Sequence, residues 1–225
     1  MKRILLTIVY LHILVMASIA QEHRITVSAT TQGFIGLKIR YEYEVGHEMY
    51  AGAFYHISAL MLAQGDFDTG ELGFSFTTDL PFEKFSLDCL IETGYRFQNQ
   101  NLGFIQTVFI NTLARATVQF GVVSPGLELG WEQAIVTHLV YSDFVKSTFE
   151  GIYDGAPAPP AGSVLWFPSG RLKTGVSCGI AIGDRFDFAI AGGLLYTPNP
   201  FISGFEGMAF GFFPFYADVR FGVDL

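Results

Sequence analysis

The sequence predicts an all-β chain that closes on itself as a single antiparallel, up-and-down barrel. Three observations lead there. Separate segments alternate apolar and polar residues at period two. The chain is unusually apolar, with mean hydropathy +0.37, only 15% charged residues and 16% aromatic ones. Yet beyond its first twenty residues it has no apolar run approaching the roughly 18–20 residues that a membrane-crossing helix needs. A chain this apolar that cannot cross lipid with helices has one other way to satisfy its backbone polar groups there, a closed barrel.

The first element is a secretion signal over residues 1–20. Lys2 and Arg3 supply a positive start, Ile4 to Val15 is nearly unbroken apolar sequence, and Ser18-Ile19-Ala20 places small side chains at the −3 and −1 positions of a signal-peptidase site. The apolar run is too short for an anchor, and no Cys follows the site to be acylated. Cleavage after Ala20 leaves residues 21–225 as one barrel domain. That chain loses two of the 13 Lys+Arg, leaving 11 against 21 Asp+Glu and a net charge of −10. No basic patch remains to displace counterions from phosphates, so nucleic acid is not an expected partner. Two cysteines are too few for a disulfide scaffold.

The strands follow from the alternation. In 34–45, Ile35, Leu37, Ile39, Tyr41, Tyr43 and Val45 oppose Lys38, Arg40, Glu42 and Glu44. In 85–97, the apolar set from Phe85 to Phe97 opposes Ser86, Asp88, Glu92 and Arg96, with Leu90 the exception. In 171–182, Leu172, Val176, Cys178, Ile180 and Ile182 oppose Arg171, Lys173 and Ser177. In 213–225, Phe213, Phe215, Ala217, Val219, Phe221, Val223 and Leu225 oppose Tyr216, Asp218, Arg220 and Asp224.

Short turns are expected at Val45-Gly46-His47, Asp79 to Glu83, Ser124-Pro125-Gly126 and Gly183-Asp184. Longer breaks are expected at 63–70, 98–101, 140–170 and 198–208. With the C-terminus in the periplasm, all short turns fall on the periplasmic side and the longer breaks outside. Loop 140–170 holds four of the nine prolines and reads as too broken to continue a ladder. Nine segments are evident, and such barrels have an even strand count. Splitting 24–45 at Thr31-Gln32-Gly33 gives ten strands; the alternative is eight.

The signal, the alternating segments, the turn asymmetry and the closing strand Phe215 to Leu225 together make the chain resemble the small outer-membrane β-barrel proteins of Gram-negative-type bacteria. The resemblance is one of pattern and covers residues 21–225. It implies a bacterial outer-membrane location, membrane lipids as surroundings, and an assembly machinery that reads the last strand. That strand usually ends in an aromatic residue; here it ends in Leu225. The fold hosts pores, adhesins, structural anchors and lipid-modifying enzymes, so function has to be argued from sites.

Parity sends Lys38, Arg40, Glu42, Glu44, Asp88, Glu92, Arg96, Arg115, Glu128, Glu132, Arg171, Lys173, Arg185, Asp187, Asp218 and Arg220 into the lumen. A barrel of eight to ten strands nearly fills its lumen with side chains, so these charges are expected to pair into a plug, or else to line a narrow channel for small solutes. A wide pore needs more strands.

A second constellation is His56-Ile57-Ser58, a base and a hydroxyl two apart on one strand, with Glu71 as an orienting acid. It is similar to the His-x-Ser pair of outer-membrane lipid A deacylases, but Ala59 stands where that family has Asn. The surrounding parity turns the pair toward the lumen, whereas lipid cleavage needs it on the bilayer side. A third is the external loop, with Tyr153-Asp154-Gly155 and Trp166-Phe167, which could bind a surface ligand or fold over as a lid.

Other features read as structural. His23, His47 and His138 lack metal-ligand spacing, Cys89 and Cys178 fall on the apolar parity, and Trp131, Tyr41, Tyr43, Phe212, Phe213 and Phe215 read as girdle residues near strand ends. With no phosphate-binding loop, no cofactor is expected. The leading expectation is a non-enzymatic outer-membrane barrel, structural or forming a narrow channel. A surface-binding module comes next, and a lipid A hydrolase third.

Overall fold

The structure, a computed structural model, describes residues 23–31, 35–59, 69–100, 103–152, 154–155, 157–168, 170–183, 185–197 and 214–225. The signal segment, the Gln32-Gly33 part of the first turn, Asp184, Tyr153, Phe212, Phe213 and the break at 198–208 lie outside these residues, as does most of the break at 63–70.

Eleven strands form one sheet: β1 (His23–Thr30), β2 (Gly36–Gly46), β3 (Met49–Ser58), β4 (Thr69–Pro81), β5 (Phe85–Gln100), β6 (Gly103–Val118), β7 (Val123–Tyr141), β8 (Val164–Trp166), β9 (Gly170–Ile182), β10 (Phe186–Tyr196) and β11 (Phe215–Asp224). One helix, α1 (Asp143–Ile152), follows β7. Neighbours pair antiparallel from β1 to β7, then β7 with β9, and on through β10 to β11. β11 closes the ring on β1, with Arg24 opposite Asp224 and Thr30 opposite Asp218. Ten strands therefore make the closed wall, as the split of segment 24–45 predicts, and β1 and β2 pair as two antiparallel strands rather than one. Among the described residues no helix is long and apolar enough to cross a membrane.

The two ends of the barrel differ. Four tight connections, between β2 and β3, β4 and β5, β6 and β7, and β9 and β10, lie at the end that also holds both ends of the barrel chain. One of them departs from expectation. Ser124-Pro125-Gly126 lies inside β7, and the turn is at Phe120 to Val123, where each residue's N–H donates to the other's carbonyl. Gly121, with φ +62, occupies the first central position, where such hairpins require glycine. Pro125 is tolerated because β6 stops pairing with β7 at Gly126, so its missing N–H breaks no bond on that side.

The opposite end is built up on one side. β7 has 19 residues, β5 and β6 have 16 each, while β1 has 8. Above β9, the short β8 pairs with β7 from Val136 to His138. The loop 140–170 thus does continue the ladder, contrary to the expectation from its prolines, because those lie outside the three paired residues. α1 leans on the inward side of this tall wall. Its Val145 and Phe149 are buried with Ile105, Leu139, Tyr141 and Ala158, so the loop folds over the mouth as a lid. Asp154, at φ 55, and Gly155 cap the helix C-terminus, with the Gly155 N–H donating to the Glu150 carbonyl at 2.7 Å.

A bulge sets the geometry of β7. Phe109 pairs with Ala134 and Val108 with Val136, leaving Ile135 unpaired. The extra residue exchanges the faces. Below it Glu128, Glu132 and Ala134 are buried; above it Thr137, Leu139 and Tyr141 are. Uninterrupted parity would have turned this upper wall inside out.

The faces are strongly polarised. Outward strand positions carry residues such as Phe74, Leu127, Val176 and Leu194, each at least 62% exposed. Among the described residues no outward strand position holds Asp, Glu, Lys or Arg. Cys89 and Cys178 are free and lie on this outer face. Trp131 and Tyr41 sit in mid-strand rather than at strand ends, although Trp131 is level with Leu172 near the start of β9.

Inside, two rows show why the chain needs glycine. Phe54 on β3 pairs with Gly73, Gly73 with Gly94, and Gly94 with Phe109 on β6. A methyl on Gly73 would come within 2.9 Å of the Phe54 ring, and one on Gly94 within 3.1 Å. On the other wall Tyr216 pairs with Gly193, Gly193 with Gly175, and Gly175 with Glu128. A methyl on Gly175 would overlap the Tyr216 hydroxyl. Each aromatic lies flat along the wall because the neighbouring positions have no side chain.

Candidate functional site

The charges that alternation sends inward converge on three centres. In the first, Glu92 on β5 accepts from Arg40 Nη2 at 2.6 Å, lies 2.6 Å from Lys38 Nζ, and accepts from Asn111 Nδ2 at 2.9 Å. This links β2, β5 and β6 across the lumen. Nearby, Thr77 donates to Glu42 at 2.7 Å, and Lys38 Nζ sits 4.3 Å from the centre of the Phe54 ring.

The second centre is Arg96. Its Nη1 and Nη2 each donate to one Glu132 oxygen at 3.0 Å, and its Nε donates to Glu71. The guanidinium carbon stands 4.9 Å from the Phe109 ring centre. Arg171 approaches Glu132 at 3.9 Å. A planar fork saturated by two carboxylates ties β4 to β7 through β5.

The third centre is Glu128, which receives Arg115 at 2.7 Å, Arg220 at 2.9 Å and the Tyr216 hydroxyl at 2.9 Å, with Lys173 at 3.5 Å. Arg220 also lies 3.0 Å from Asp218, and Arg115 lies 3.9 Å from Asp88. Lys173 Nζ is 4.1 Å from the Tyr216 ring centre. Three cations around one buried carboxylate compensate a desolvation that a lone charge could not bear.

Of the sixteen residues expected in the lumen, thirteen take part in these centres or their immediate ion pairs and hydrogen bonds. Glu44 is half-buried with no ion pair among the described residues. Asp187 is exposed at the start of β10. Arg185 is not in a strand at all; it is exposed in the turn before β10, where alternation no longer dictates facing. Sequence reasoning missed Arg24, which meets Asp79 at 2.9 Å and Asp224 at 3.1 Å and stacks 4.1 Å over Tyr50. Parity along 23–30 contained that signal. It also left out Tyr216 and Asn111 as donors to the lumen carboxylates, because neither is charged.

His56, Ser58 and Glu71 share the inward face, at 1%, 4% and 4% exposure. His56 Nδ1 lies 3.3 Å from Glu71 Oε2, but the same Glu71 is engaged by Arg96. His23 stacks on Tyr41 and shares a 2.8 Å hydrogen bond with its hydroxyl, while His138 meets Phe104 edge-on. Among the described residues no three His, Cys, Asp or Glu side chains are placed to share a metal ion.

A cavity of about 40 Å³ lies beside these centres. Each water needs roughly 10–15 Å³, so this cavity has room for about three waters. No protein-family model and no curated protein matches the chain.

Proposed function

We propose that this chain is an integral bacterial outer-membrane barrel of structural type, its lumen closed by ion pairs and its tall rim lidded by α1. The observation that carries the reading is the inversion of a soluble protein's polarity. The wall is apolar and free of formal charge outside among the described residues, while carboxylates and guanidinium groups fill the inside. A surface of that kind exposed to water would be an aggregation hazard. Against hydrocarbon it is the favourable arrangement, and strands of 10–19 residues in β2–β7 and β9–β11 meet the length needed to cross. The secretion signal read from residues 1–20 supports export.

Expression of the full chain in a Gram-negative host tests the reading. It predicts recovery in the outer-membrane fraction, heat-modifiable migration on gels, and no discrete conductance after insertion in planar bilayers. Recovery as a soluble periplasmic protein defeats the membrane reading. Steady single-channel steps defeat the closed lumen and favour a narrow channel.

A second reading, surface binding through the lid, is favoured by one observation. Phe144, Trp166 and Phe167 are 66%, 70% and 62% exposed on ordered structure at the built-up end. Deleting 150–163 should then abolish attachment to a target surface while leaving a heat-modifiable barrel. A lipid A hydrolase has less support, since its catalytic pair belongs on the outer wall and His56 and Ser58 are buried on the inner one. Unchanged lipid A acylation on expressing wild type and Ser58→Ala rules it out.

A further inference from the structure

Between the ion-pair centres lies the cavity of about 40 Å³, and β1 forms one of its walls. The inward side of β1 above Arg24 bears only hydroxyls, Thr26, Ser28 and Thr30. Across from them stand Arg40, Asp218 and Arg220. Each has one fully buried polar atom with no hydrogen bond: Arg40 Nε, Asp218 Oδ1 and Arg220 Nε. Other atoms of the same three side chains are engaged. Arg40 Nη2 donates to Glu92, Arg220 Nη2 donates to Glu128, and Asp218 Oδ2 lies 3.0 Å from Arg220 Nε, near enough for ion pairing though not aligned for a hydrogen bond.

We propose that this cavity is a hydration site, in which a cluster of about three ordered waters joins Arg40, Asp218 and Arg220 to the hydroxyls of β1. The chemistry selects the occupant. An anion satisfies the two N–H donors and faces the Asp218 carboxylate. A cation satisfies the carboxylate and faces two guanidinium groups. Water both donates and accepts, so it completes all three atoms and the hydroxyls beside them. The walls are polar, unlike those of cavities that stay dry. The site is internal to the barrel and does not depend on what surrounds the wall. It gives the hydroxyl-bearing part of β1 a solvated bracing, beyond Arg24, which is held by direct ion pairs.

The test is a crystal structure of the full barrel, grown with bromide in place of chloride and diffracting far enough to show waters. Density within about 2.7–3.2 Å of Arg40 Nε, Asp218 Oδ1 and Arg220 Nε, without a bromine anomalous signal, is the expected result. An anomalous peak at that position overturns the proposal in favour of an anion site. Side chains closed directly onto one another, with no density between them, overturn it as well. In the same crystals Ser28→Ala enlarges the cavity by one hydroxyl. A further water should take its place, and a dry void there counts against the site.

Discussion

The Tyr216 hydroxyl donates to Glu128 at 2.9 Å across Gly193 and Gly175, so one side chain of β11 is tied to one of β7 three strands away. The reach exists only because the two intervening inward positions have no side chain. Glu128 in turn holds Arg115 and Arg220, with Lys173 beside it. One carboxylate thus fastens β6, β7, β9 and β11 from within.

Removing that carboxylate should be severe. Glu128→Ala leaves three cations and a tyrosine hydroxyl buried without their acceptor, a class of loss worth about 3–5 kcal/mol. Urea unfolding of the refolded barrel in lipid vesicles measures it. Asp187→Asn, exposed near a strand end, should stay within about 0.5 kcal/mol.

Gly175→Ala tests the flat packing of Tyr216. The added methyl collides with the hydroxyl and should cost about 1–3 kcal/mol. In Tyr216→Ala the same methyl meets less, so the two changes should be non-additive by at least about 0.5 kcal/mol in a double-mutant cycle. Strict additivity would mean that the ring does not lie over Gly175.

Arg96→Ala strands Glu71 and Glu132 and should destabilise by about 3–5 kcal/mol. Arg96→Lys keeps the charge but loses the fork, and should recover only part of that loss. The same variants in planar bilayers read the lumen: transient current steps in Arg96→Ala, with silence in wild type, are expected if the ion pairs seal it.

Phe74→Arg places a charge on the outer wall at a residue 66% exposed. In water such a change is close to neutral. Against hydrocarbon it should cost about 2–4 kcal/mol near the bilayer midplane. Equal stability of variant and wild type in vesicles would contradict the membrane reading directly.

Phe149→Asp tests the lid. Phe149 is fully buried between α1 and the tall wall, so its loss should release α1 and open 143–163 to limited proteolysis. The barrel itself should remain heat-modifiable, because its ladder does not pass through the helix.

The amino-acid sequence by itself determined that the chain is all-β and which face of most strands is polar, and it put the barrel at ten strands with eight as the alternative. A period of two is a local property, written in neighbouring residues, and segments such as 34–45 and 85–97 display it without reference to the rest of the chain. It also located most of the charged lumen residues, since parity alone sends Glu92, Arg96 and Glu128 inward. Which charges meet was decided only by the tertiary structure. Pairs such as Arg96 with Glu132 and Tyr216 with Glu128 depend on register, strand tilt and closure, which bring together residues 36 and 88 positions apart. The bulge at Ile135 and the folding of α1 onto Ile105 and Leu139 belong to the same class. Each is fixed by what the partner strand offers, and no local pattern in the chain records it.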